Sequence, residues 1–66
     1  MTGKELAYVE DAIGHEGNII SICEDIKERL EDGNLVTFME RKIETHKERK
    51  QNLMNLLEGK RWMIKN

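Results

Sequence analysis

Two stretches of this chain repeat apolar residues at alternating spacings of three and four, and a short polar break separates them. Val9, Ala12, Glu16, Ile19, Cys23, Ile26 and Leu30 form the first ladder; Val36, Met39, Ile43, His46, Lys50, Leu53 and Leu57 form the second. That spacing is the buried seam of a helix packed against other helices. Between the ladders, Asp32-Gly33-Asn34 supplies turn-forming residues and a candidate helix cap. The pattern predicts an all-α chain folded as an antiparallel helical hairpin. The absence of proline, the few aromatics and the abundance of charged residues agree with helix throughout.

Thr2 followed by Glu5 is a capping-box pattern, so the first helix is expected over residues 3–31. The turn takes residues 32–34, with glycine able to adopt positive φ and Asn34 as the new N-cap. The second helix is expected over 35–58, stopped by Gly59, with a tail over 59–66. The resulting rod is on the order of 40 Å long. Gly14-His15-Glu16-Gly17-Asn18 is the weak point, because glycine inside a helix costs about 1 kcal/mol relative to alanine. The first ladder nevertheless passes through it in phase, which favours one continuous helix over two.

At 66 residues the chain is one domain at most, and chains this short generally need a staple or a partner. Its single cysteine, Cys23, excludes an internal disulfide. The apolar stripe of helix one is wider than one facing helix can cover, with Ile13, Ile20, Tyr8 and Ile22 flanking the ladder. Helix two adds Leu35, Met54 and Leu56. We therefore expect two hairpins to pair into a four-helix bundle, with Ile13, Ile20, Ile22, Met54 and Leu56 in the interface. Parallel and antiparallel docking of the two hairpins both remain open, as does pairing with a different protein. Trp62 and Ile64 are expected to fold back over the bundle end, or to serve as a hook for another protein.

Charge is unevenly distributed. Residues 1–34 are acid-rich, whereas Arg41, Lys42, Lys47, Arg49 and Lys50 make helix two basic. A net charge of −2 argues against a general nucleic-acid binder, and Glu44 and Glu48 interrupt the basic cluster. No apolar run could span a bilayer, and Met1-Thr2-Gly3-Lys4-Glu5 lacks a secretory signal core. A lone thiol on an apolar stripe fits a reducing cytoplasm.

The polar interruptions of the two ladders are the candidate site. Folding at the turn pairs residues whose numbers sum to about 66, which sets Glu16 against Lys50 with His46 one turn away. Three readings compete. A Glu–Lys–His layer can fix helix register and oligomeric state at some desolvation cost. A metal reading takes Glu16 and His46 as ligands, doubled in a dimer. Against it, Ile43 and Ala12 stand where a Glu-x-x-His pair needs its carboxylate, and Lys50 would repel a cation. A catalytic reading makes Glu16 an acid or base, but a narrow bundle offers little room for a substrate pocket. The expectation is a non-enzymatic protein without a cofactor.

Asp11-Ala12-Ile13-Gly14-His15-Glu16, followed by Ile19 and by the closing Leu57 and Arg61-Trp62, resembles the spore-coat F family of spore-forming bacteria. The resemblance implies a degenerate ferritin-like half-bundle with a structural role tied to sporulation, in which Glu16 is the remnant of a ligand. This chain departs from that family's Arg-Gly-Trp-like run, since Trp62 follows Arg61 directly. In architecture alone, the expected hairpin is also similar to the Rop-type hairpins, which dimerise and bind paired RNA loops.

Overall fold

The computed structural model describes the backbone of residues 1–65 and the side chains of residues 1–60. Two antiparallel helices, α1 (Gly3–Arg29) and α2 (Gly33–Lys65), form a hairpin measuring 52 × 15 × 11 Å. Helix α1 starts where the capping box places it. The Thr2 hydroxyl accepts from the Glu5 N–H at 3.1 Å, and Glu5 Oε1 accepts from the Thr2 N–H at 2.9 Å. The Thr2 backbone N–H, and then its side chain, hold the Glu5 carboxyl below the usual range. The helix then runs unbroken through Gly14 and Gly17, as the in-phase ladder requires.

The turn differs from expectation. Helix α1 ends at Arg29, two residues early, and Leu30 turns out into extended backbone at φ −88°, ψ 138°. Among the described residues none has positive φ, so the reversal does not use a left-handed glycine. The cap is Asp32, not Asn34. Its Oδ1 accepts from the N–H of Asn34 at 2.8 Å and of Leu35 at 3.0 Å, satisfying two orphan donors of α2. Gly33 and Asn34 therefore belong to the first turn of the helix.

At the other end, α2 continues through Gly59 to Lys65. A glycine without positive φ is only a weak helix breaker, and the good helix formers Lys60 and Arg61 follow with no proline to stop them. This lengthens the rod beyond the expected 40 Å and replaces the fold-back tail with helix. The side chains of Trp62 and Ile64, the expected partner hook, lie outside the described residues.

The α2 ladder packs as the spacing requires: Val36, Met39, Ile43, His46, Lys50, Leu53 and Leu57 are buried or half-buried. Every residue between them from Val36 to Leu57 is exposed. On α1 the seam is rotated slightly from the expected line. Ile20, assigned from sequence to the outer flank, is buried in the hairpin core with Ile43 and Leu57, while Ile26 is exposed. Cys23 is half-buried along the same seam and carries a free thiol. Those three residues are the whole buried core among the described residues, and no side chain is completely enclosed.

A layer of two helices has two broad sides, and here they differ. The grooves on one side are lined by Glu10, Ile13, Met54 and Glu58 at one end and by Glu24, Glu28, Glu40 and Glu44, with Lys27 and Lys47, at the other. Helical phase places Tyr8, Ile19, Ile22 and Ile26 of α1, and Leu35, Phe38, Leu53 and Leu56 of α2, toward the opposite side. There the relative exposures of Tyr8, Ile22, Phe38 and Leu56 are 59, 59, 51 and 47%. The first, acidic side is rich in carboxylates but also carries Lys27, Lys47 and Lys50, and the second, apolar side holds most of the exposed apolar groups.

Gly14 tests the continuity of α1. A Cβ built there meets nothing within 4 Å, so Gly14→Ala should stabilise the fold by about 1 kcal/mol through helix propensity alone. Thermal melts followed by circular dichroism should rise by roughly 4–8 °C. A lowered midpoint would indicate that α1 breaks at residues 14–18 in solution.

Candidate functional site

The polar interruptions of the two seams meet at mid-hairpin, with a pairing different from the one expected. His46 Nδ1 and Glu16 Oε2 are 2.5 Å apart, the ring N–H donating to the carboxylate. The two side chains are only 14 and 15% exposed. Lys50, expected opposite Glu16, forms no ion pair with it. Its ammonium lies instead beside Gly17, 3.6 Å from where a Cβ would stand. The reason is helical phase: the rotation that buries Ile20 swings Glu16 toward His46 and brings Gly17 up against Lys50. The lysine stem packs along the seam while its charge reaches the acidic side, in a groove lined by Ile20, Lys47, Gln51 and Met54.

Glu16 and His46 thus satisfy each other. Among the described residues no buried side-chain polar atom lacks a partner. A half-buried carboxylate–imidazole pair of this kind aligns the helices along their length, because sliding α2 by one turn would separate the two groups by about 5.4 Å. The pair supplies two donors of the metal-ligand type. Among the described residues, no group of three or more His, Cys, Asp or Glu is arranged to hold a metal ion.

The residues proposed from sequence for the hairpin–hairpin interface divide between the two sides of the layer. Ile22 and Leu56 are exposed on the apolar side. Ile13 and Met54 line a groove on the acidic side, and Ile20 is core. Sequence reasoning missed Phe38, named Leu35 only as extra apolar surface of helix two and placed Ile26 in the hairpin seam; their shared signal was a second three–four ladder, offset from the first, along the outside of each helix. Lys42 rests over the Phe38 ring, 5.6 Å from its centroid, adding a cationic edge to that side.

The basic cluster of α2 is not one surface. Arg41 lines a groove on the outer edge with Thr37 and Thr45, Lys47 borders the acidic side, and Arg49 lines the groove beneath Leu53 and Leu56. Among the described residues, no helix is long and apolar enough to cross a membrane. No family model, curated protein or solved structure matches this chain.

The register role of the pair makes a distinguishable prediction. Glu16→Leu alone should destabilise by about 1–3 kcal/mol, because it leaves His46 facing an apolar neighbour. The double variant Glu16→Leu/His46→Leu should recover most of that loss in denaturant titrations. If the double variant were as unstable as the sum of the singles, the pair would not act as a unit.

Proposed function

We propose that this chain is a non-enzymatic helical module whose working form is a dimer of hairpins stacked as a four-helix bundle, serving a structural or protein-interaction role. One observation carries this reading: the hairpin exposes too much surface for its size. Its accessible area is 5208 Å². A compact folded monomer of 7.8 kDa would expose about 4400 Å². The excess, roughly 800 Å², equals what each partner contributes to a protein–protein interface of ordinary size. The excess is also concentrated, since the apolar side chains outside the core lie mainly on one side of the layer. A patch of this kind marks an interaction surface. Covering it with a second copy would complete a core that a single hairpin leaves half-built.

In this role the Glu16–His46 pair serves alignment and holds no substrate. The spore-coat F resemblance would place such a module in a sporulating cell, and what supports that placement is the stretch from Asp11 to Ile19 with Arg61-Trp62. A metal-binding half-bundle would need a third donor beside Glu16 and His46. An RNA-binding dimer would need Arg41, Lys47 and Arg49 on a common surface, and α2 distributes them around its circumference.

Native mass spectrometry of the untagged chain, with sedimentation equilibrium across a dilution series, tests the proposal. The expected result is a dimer at micromolar concentration without bound metal. A chain that stays a stable, monodisperse monomer throughout the series would overturn it.

A further inference from the structure

Self-association by itself leaves open which helix meets which. The pattern on the apolar side supplies an answer that rests on the dimer reading above. On α1, that side presents Tyr8, Ala12, His15, Ile19, Ile22 and Ile26 at alternating spacings of four and three. This ladder is symmetric about Gly17: Tyr8 mirrors Ile26, Ala12 mirrors Ile22, and His15 mirrors Ile19. On α2 the corresponding ladder includes Phe38, Lys42, Thr45, Arg49, Asn52 and Leu56. It is symmetric about Lys47, with Phe38 mirroring Leu56. A four–three ladder has such a centre every three or four residues, and Leu35 continues the α2 ladder beyond Phe38, so neither centre is unique by itself. Yet Gly17 and Lys47 each stand one residue from the Glu16–His46 bond, so they lie level across the hairpin to within about 3 Å. A single two-fold axis lying between the two stacked layers at that level, perpendicular to the helices, would satisfy both.

We propose that a second copy docks on this side with its α1 antiparallel on α1 and its α2 antiparallel on α2, the two-fold axis passing beside Gly17 and Lys47. The α1–α1 seam then sets Tyr8 against the second copy's Ile26 and Ala12 against its Ile22, large against large and small against a branched residue. It is dry apart from His15 near the axis. The α2–α2 seam is apolar at its ends, where Phe38 meets the second copy's Leu56. At its middle, Lys42 faces Asn52 and Arg49 faces Thr45, so the charged groups keep polar neighbours and open edges to water.

The competing arrangement turns the second copy about an axis along the helices and lays α1 over α2. That pairing also matches ladder to ladder. It buries Lys42 against Ile22, however, and brings Arg49 against His15. Covering a cation with apolar surface and no partner is strongly unfavourable. The opposite side of the layer is disfavoured for a related reason: Glu24, Glu28, Glu40 and Glu44 line its groove together with Lys27 and Lys47, so stacking two copies there would bury many charged groups and little apolar surface.

Mixed-thiol crosslinking tests the arrangement, in a Cys23→Ala background so that only introduced thiols react. Tyr8→Cys protein is mixed with Ile26→Cys protein under mild oxidant, and separately with Leu56→Cys protein. The first mixture should yield the disulfide-linked heterodimer and the second should not. A dominant Tyr8→Cys/Leu56→Cys product would overturn the arrangement while leaving self-association intact. Monomeric sedimentation of the unmodified chain would remove both. A second pair of variants avoids reliance on the thiol background: Ile22→Glu should weaken association by roughly tenfold or more, and Met54→Glu, on the acidic side, should leave it nearly unchanged. The reverse order would place the interface on the other side.

Discussion

A two-helix layer can bury only one seam, and that limit governs the rest of this molecule. Each helix gives about a third of its circumference to its neighbour and leaves two flanks uncovered. The hairpin is therefore held by a single line of contacts running from the capped end of α1 to the turn. Only Ile20, Ile43 and Leu57 along that line are buried among the described residues. Everything else that positions the helices, including the carboxylate–imidazole bond at mid-length and the lysine stem beside Gly17, sits on the same line or at its edge.

The line was legible in the sequence because spacing alone encodes it. On α2 the expected ladder and the half-buried residues coincide from Val36 to Leu57. The capping box at Thr2 and Glu5 was legible for the same reason, since it is a local bond between residues three apart. Details that depend on a few degrees of helix rotation were not. Ile19 and Ile20 are adjacent and equally apolar, so spacing could not say which of them faces the partner helix. The choice of Ile20 in turn exchanged Lys50 for His46 as the partner of Glu16. The helix ends misled because glycine carries two meanings, a left-handed stop or a tolerated interior residue. In this chain Gly33 and Gly59 have the second meaning.

The chemistry of the site follows from its width. A carboxylate and an imidazole share one bond between two helices, and Glu16 also borders a groove with Arg49, Asn52, Leu53 and Leu56. What the hairpin offers in quantity is surface: one side lined with carboxylates and lysines and the other richer in aliphatic and aromatic groups. On the proposed reading, the charged side faces outward while the apolar side is covered by the second copy.

The chain reversal has a consequence for how this hairpin could vary. Its geometry uses only backbone conformations open to ordinary residues, and a side chain at Gly33 would meet nothing within 4 Å. The turn therefore depends on one acceptor, the Asp32 carboxylate, and not on the special freedom of glycine. Any short acceptor at that position would serve, which leaves the residues around it open to drift. Such a loop can accumulate substitutions, and even carry a grafted epitope or label, while the two helices keep their directions.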